Sequence, residues 1–405
     1  MHDDAPSTAA PPWYARPAAR SWRCPPHSSG VRGFHASLPG YAPTPLTELP
    51  SLATELGLGR VFVKDESARL GLPAFKALGA SWAVHRALDE RDRGSRTGPC
   101  TLISATDGNH GRAVARMARL LGQRAHVFVP RGVPEEAVRA IAAEGAELSR
   151  VPGPYDEAVA RAAEAAGAPD ALLIQDAGWP GYETVPGWIV EGYSTLCAEL
   201  DEQLAAAGAS APGLVAVPVG VGSLSQAVVT HYRSASRYRG ETRYRSDTHY
   251  PGEPSEPAPK DSAPALLSVE PESAACVLES LVRGERVSVT TGETAMAGLN
   301  CGTPSATAWP HLRGGLDAAV AVTDGAAARA AGDLAALGVS PGPCGAAPLA
   351  GLRAALTGPG AGERRGQLGL GPGSVAVLLS TEGADANPGA GPGADVGSGH
   401  HAGER

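Results

Sequence analysis

Short apolar runs alternate along the chain with longer amphipathic stretches, and this alternation predicts the architecture. Strands are predicted over 60–64, 101–104, 126–129, 172–174, 214–219, 266–269, 319–322 and 375–379. Between them, apolar positions at helical spacing predict helices over 77–89, 111–121, 135–144, 155–166, 188–203, 223–231, 273–282, 325–337 and 346–356. Strand–helix alternation of this kind implies an α/β fold, with parallel sheet covered on both faces. Ligands then gather at the carboxyl ends of strands, where loops lead into helix N-termini.

Three segments lack any period. Residues 1–30 and 384–405 are rich in Pro, Gly, Ala and His and are read as poorly ordered tails. Residues 234–264, with repeated Tyr and Arg followed by Pro and Glu, are read as a surface insertion. No internal repeat is present.

Composition narrows the classes. With 405 residues, 43% of them hydrophobic, the chain can bury the core of one large or two ordinary domains. Its formal charge of −8, without a block of Lys or Arg, argues against a nucleic-acid partner. Six cysteines are too few for a disulfide scaffold, and the absence of a Cys-x-x-Cys pair argues against a zinc ribbon, so no metal is expected. The start Met1-His2-Asp3-Asp4 is unlike a secretory signal, and no apolar run approaches the roughly 18 residues that span a bilayer. A cytoplasmic protein with no membrane partner is expected.

Four segments, each at a strand–helix junction or a strand end, carry the candidate chemistry. In Ala74-Phe75-Lys76-Ala77-Leu78-Gly79-Ala80-Ser81 a lysine opens a helix among small residues. A deprotonated lysine amine forms imines with carbonyl cofactors, and burial favours deprotonation. Ser104-Ala105-Thr106-Asp107-Gly108-Asn109-His110-Gly111 follows a strand and opens a helix, a turn whose N–H groups suit an anion. Taken alone it is equally a turn capped by Asp107. Val217-Pro218-Val219-Gly220-Val221-Gly222-Ser223 runs a strand into a glycine turn that suits a phosphate. A dinucleotide fingerprint needs a third glycine where this chain has Ser225, and no acidic ribose ligand completes the unit, so a nicotinamide-dependent dehydrogenase is disfavoured. The last strand ends in Ser380-Thr381-Glu382-Gly383, where a hydroxyl can meet a ring nitrogen.

Taken in order, these segments resemble the fold-type II pyridoxal-phosphate enzymes, the tryptophan-synthase-β-like group, from about Phe34 to Gly383. Within the group the likeness is to the diaminopropionate ammonia-lyase family, through Phe34-His35-Ala36-Ser37-Leu38-Pro39-Gly40-Tyr41, Val63-Lys64-Asp65-Glu66-Ser67, the 104–111 loop, Gln175-Asp176-Ala177-Gly178-Trp179 and Met296-Ala297-Gly298-Leu299. The resemblance implies two parallel-sheet α/β domains with pyridoxal 5'-phosphate between them. Residues 31–89 with 191–383 would form the large domain, and 90–190 the small one. Lys76 would be the Schiff-base lysine, and Gly220, Val221, Gly222 and Ser223 the phosphate cup. Asn109 would bond the ring oxygen, and Ser380, or less directly Thr381, would face the ring nitrogen.

Thr106, Asp107, Gly108, His110 and Asp176 would contact the substrate, with His110 orienting the turn rather than acting catalytically. Lys76, Asp107 and Asp176 would be catalytic. Relatives acting on serine or threonine often carry a small Ser or Ala where this chain has Asp107. A carboxylate there can engage a 3-ammonium group, an attraction of roughly 4 kcal/mol at ~4 Å and an effective dielectric near ~20, before desolvation. The implied reaction is α,β-elimination of 2,3-diaminopropionate through an aminoacrylate to pyruvate and ammonia, with Lys76 the base for an L-substrate and Asp107 for a D-substrate. The alternatives are a serine/threonine dehydratase or another β-substituted-alanine lyase of this fold, and a pyridoxal-phosphate-binding homologue without catalysis. The resemblance also suggests a homodimer and places Cys276 and Cys301 near the site; in a cytosolic chain two reduced, packed cysteines are expected there rather than a pair. Trp179 and Trp188 are candidates for the substrate entrance or for core packing. Departures from the family wording occur at Ala177-Gly178, around Pro180, and in 234–264.

Overall fold

The computed structural model describes residues 10–94, 98–106, 108–237 and 263–386. Its strands are β1 (Trp13–Ala15), β2 (Leu46–Glu48), β3 (Arg60–Asp65), β4 (Thr101–Ala105), β5 (Arg124–Val129), β6 (Glu147–Arg150), β7 (Ala171–Leu173), β8 (Leu214–Pro218), β9 (Ala265–Pro271), β10 (Ala318–Val322) and β11 (Val375–Ser380). Seven form one sheet, ordered β1-β10-β9-β8-β11-β3-β2, and four form a second, ordered β6-β5-β4-β7. The five inner strands of the larger sheet are parallel, and antiparallel β1 and β2 close its edges. The smaller sheet is parallel throughout.

Every residue of β8 to β11 is buried, which is why these strands read as mostly apolar runs rather than alternating ones. The pleat divides them between two cores. Val61, Val63, Leu214, Leu267 and Leu378 face one core with the helix Pro343–Leu356. Phe62, Val215, Val217, Leu266 and Leu379 face the other, shared with the helices Lys76–Arg93 and Ser223–Arg233.

The stretch 188–203 is not one helix. It is divided between Thr184–Gly192 and Ser194–Ala206, with Tyr193 between them. The first of these crosses Lys76–Arg93 so closely that a Cβ on Gly192 would lie 2.5 Å from the Leu78 carbonyl oxygen. Only glycine allows that approach, and Lys76 gains a rigid mount from it.

The N-terminal stretch needs correction. Residues 10–30, expected to be a poorly ordered tail, are built into the body through β1 and the 3-10 turn Pro17–Ser21. The reason is specific anchoring that composition cannot show. Trp13 Nε1 donates to Gln367 Oε1 at 2.8 Å, and Arg20 Nε donates to the buried Asp317 at 2.8 Å. Residues 1–9 lie outside the described residues, as do 238–262 of the expected insertion and 387–405 of the expected C-terminal tail. The described ends of the insertion, Ser234 and Ala263, are buried.

Glu270 in β9 is buried, and its two oxygens accept the N–H groups of Val277 and Leu278, each at 2.7 Å. Burial outweighs these donors and raises its pKa from 4.5 to about 8. A carboxyl held neutral by the fold contributes stability that is full below pH 4.5 and lost as pH rises through 8. Glu270→Gln is therefore expected to flatten the wild type's decline across that window, a decline on the order of several kcal/mol. Unfolding midpoints taken at successive pH values would show it; an unchanged slope in the variant refutes the burial argument.

Candidate active site

One cavity lies where strands of both sheets end and several helices begin. Its wall includes Lys76, Asn109, Asp176, the turn 220–223, Thr381 and Glu382. Lys76 is the first residue of its helix, and the segment before it is pinned to the segment after β11. Phe75 N donates to Thr381 O at 3.1 Å, Gly383 N donates to Pro73 O at 3.0 Å, and Ala74 pairs with Glu382.

Further back, a fully buried ion network fixes the same loop. Arg69 pairs with Glu66 and Glu199, both at 2.7 Å, and Lys64 pairs with Glu199 at 2.7 Å. Burial opposes charge on Glu199, but Arg69 and Lys64 prevail and hold its pKa down to about 2. Neither Arg69 nor Glu199 was legible as part of the site, because their partners converge only through the fold.

The Lys76 Nζ donates to Asp176 Oδ2 at 2.5 Å, and both side chains are mostly buried, 24% and 14% exposed. Burial pushes the Asp176 carboxyl up, yet the Lys76 ammonium and His110 outweigh it and keep the carboxyl far below its usual range. His110 is buried; its Nε2 is 2.9 Å from Ile174 O and its Nδ1 is 4.0 Å from Asp176 Oδ2. Asn109 Nδ2 donates to Glu382 Oε2 at 3.0 Å.

The 104–111 turn is organised differently from a free ring of amides. Thr106 Oγ1 accepts the N–H groups of Gly108 and Gly111, both at 3.0 Å, so those two donors hold the turn. Thr106, Gly108 and His110 are not on the cavity wall, and Asp107 lies outside the described residues. Ser380 is buried behind the wall and its Oγ has no hydrogen-bond partner among the described residues; Thr381 stands in front of it. Trp179 stacks on Tyr182 with ring centroids 4.4 Å apart, and Trp188 packs under Arg86, so neither lines the cavity.

The glycine turn leads from β8 into Ser223–Arg233. Gly222 has φ +102°, a backbone that L side chains rarely adopt, and a Cβ on Gly220 would lie 2.9 Å from Cys301 Sγ. The first amides of a helix have no partner within it and attract anions. Ser225, also on the wall, is buried and its Oγ has no hydrogen-bond partner among the described residues. Tyr155 lines the cavity too, its hydroxyl oxygen accepting from Gln175 Nε2 at 2.7 Å. Cys276 is buried and Cys301 half-buried, and neither is in a disulfide among the described residues. Among the described residues no cluster of three or more His, Cys, Asp or Glu is placed to hold a metal, and no helix is long and apolar enough to cross a membrane.

The family model for "Pyridoxal-phosphate dependent enzyme" matches residues 37–365. The chain belongs to that family. It is 35% identical over 318 residues to the diaminopropionate ammonia-lyase of Salmonella typhimurium, covering 74% of this chain and 73% of that one. Its fold matches a crystal structure of the Escherichia coli diaminopropionate ammonia lyase in complex with an aminoacrylate-PLP azomethine reaction intermediate, with TM-score 0.77 and 31% identity over 94% of this chain and 96% of that one. The biosynthetic L-threonine dehydratase of Corynebacterium glutamicum is 31% identical over 47% of this chain and 41% of its own length. The fold is therefore that of the fold-type II pyridoxal-phosphate dependent enzymes.

The residues present fit the cofactor of the pyridoxal-phosphate dependent enzymes. The cavity wall carries both an amine, Lys76, and a glycine turn at a helix N-terminus. Gly220 leaves open a cradle that a Cβ would fill, and Ser225 Oγ is an orphaned buried hydroxyl beside it.

Proposed function

We propose that this enzyme eliminates the 3-amino group of 2,3-diaminopropionate as ammonia and releases 2-aminoacrylate, which takes up water to give pyruvate and a second ammonia. Lys76 would hold the cofactor's aldehyde covalently, the 220–223 turn its phosphate, Asn109 its phenolic oxygen, and Thr381 or Ser380 its ring nitrogen. Bound pyridoxal phosphate supplies an electron sink that lets the proton on Cα of an amino acid leave.

Lys76 Nζ takes that proton from an L-substrate. Asp176, 2.5 Å from Nζ, holds the resulting ammonium in place and draws the substrate's 3-ammonium group toward the same end of the cavity. Asp107 takes the proton from a D-substrate. The Lys76–Asp176 contact carries this reading. A mostly buried carboxylate beside the reactive amine favours a cationic leaving group over the neutral hydroxyl of serine or threonine.

The four-stranded sheet with its helices, 90–190, is taken as the small domain, and 31–89 with 191–383 as the large one. A homodimer, on family likeness, and cytoplasmic residence, on composition, complete the reading. Light scattering at twice the chain mass checks the dimer.

Purified enzyme is expected to release pyruvate from 2,3-diaminopropionate with kcat/KM at least about tenfold above that for serine or threonine. Faster turnover of either hydroxy amino acid makes the enzyme a dehydratase instead. A cofactor band without turnover of any of these amino acids makes it a binding protein.

A further inference from the structure

We propose that Glu382 orients Asn109 for the cofactor. It holds one N–H of the Asn109 amide so that the same nitrogen offers its other N–H to the cofactor's phenolic oxygen. This rests on the reading of Asn109 given above and extends it to a residue with no assigned role.

The geometry is explicit. Glu382 is 3% exposed and sits on the cavity wall, with Oε2 accepting from Asn109 Nδ2 at 3.0 Å. An ionised carboxylate only accepts hydrogen bonds, so it dictates which end of the amide faces it. The nitrogen must point toward Glu382, and the amide cannot turn over without setting two acceptors against each other. Glu382 is itself held from behind. Its Oε1 accepts from Cys344 N at 3.3 Å, at the N-terminal end of Pro343–Leu356, where the helix dipole favours negative charge. Its carbonyl accepts from Gly342 N at 3.0 Å, and its backbone pairs with Ala74, two residues before Lys76.

Glu382 thus ties the larger sheet to the helix Asn109–Leu120, which packs on the smaller one. A glutamine at 382 keeps the shape but can accept or donate, leaving both amide orientations open. An aspartate keeps the charge and falls short by one methylene.

The test is a double-mutant cycle on purified protein stripped of cofactor and titrated with pyridoxal phosphate. The dissociation constant, from tryptophan fluorescence, and the pH midpoint of the bound cofactor's visible band are read for wild type, Asn109→Ala, Glu382→Gln and the double variant. Glu382→Gln is expected to weaken binding about tenfold, the scale of one hydrogen bond to a charged group. It should move the pH midpoint in the same direction as Asn109→Ala, and the double variant should be no worse than Asn109→Ala alone. Multiplying effects in the double variant overturn the proposal, because Glu382 then acts independently of Asn109. Wild-type values for Glu382→Gln, with Asn109→Ala shifted, overturn it and leave the Asn109 reading standing. Wild-type values for Asn109→Ala take down both. If Glu382→Gln does not fold, Glu382→Asp replaces it under the same criteria.

Discussion

Lys76→Ala is expected to abolish the visible absorbance of bound cofactor and to lower turnover by at least about 10⁴-fold, the scale seen when a covalent catalytic group is removed. Two functions are lost together: the covalent tether and the base that takes the Cα proton. The fold should survive. Lys76 is the first residue of an eighteen-residue helix and makes its charged contact into the cavity rather than into the core. Phosphate binding by the 220–223 turn should persist, so the variant still takes up pyridoxal phosphate weakly, without the band. Borohydride reduction of the wild type followed by peptide mapping gives the complementary result, a phosphopyridoxyl label on the peptide containing Lys76. A label on another lysine, or a variant that keeps both band and turnover, would end the Lys76 assignment.

What the sequence made legible follows from burial. The inner strands β3, β8, β9, β10 and β11 are sandwiched between helices, so their residues spell apolar runs that periodicity detects. Edge strands have no such constraint. Glu147–Arg150 and Leu46–Glu48 are polar or mixed, and only their neighbours in the sheet make them strands. The antiparallel β1 was hidden for a related reason, since three residues of Trp-Tyr-Ala among prolines carry no period.

At the site, residues embedded in local motifs were legible: Lys76 at a helix start, the glycine turn, Asn109 in its loop. Glu382, Ser225, Tyr155 and the Arg69–Glu199 network were not, because each matters only through partners far along the chain. Glu382 meets Asn109 across 273 positions, and Arg69 meets Glu199 across 130. The reverse also occurred. Thr106 and His110 stand in the most recognisable loop, yet the fold spends their side chains on holding that loop together.

Asp176→Asn is the second substitution with a large expected effect, and it separates two roles of one carboxylate. In the cofactor-free protein Asp176 is the counter-charge of the Lys76 ammonium, and its depressed pKa states how strongly. The sign follows from linkage. A carboxyl depressed by folding contributes stability above its unfolded pKa, near 3.8, and that contribution fades as pH falls below it. At neutral pH the variant should therefore lose up to about 3 kcal/mol in the cofactor-free form, where a mostly buried ammonium is left facing an amide. The difference from wild type should shrink in strong acid. With the cofactor bound, Lys76 is no longer a free ammonium, so the stability loss should be smaller. Turnover should instead fall by about 10²–10⁴-fold, because the amine that takes the Cα proton loses the carboxylate that holds it in place. Melting curves with and without pyridoxal phosphate, set beside pyruvate release, measure both. Equal destabilisation of the two forms with unimpaired turnover would make Asp176 a structural partner of Lys76 and nothing more.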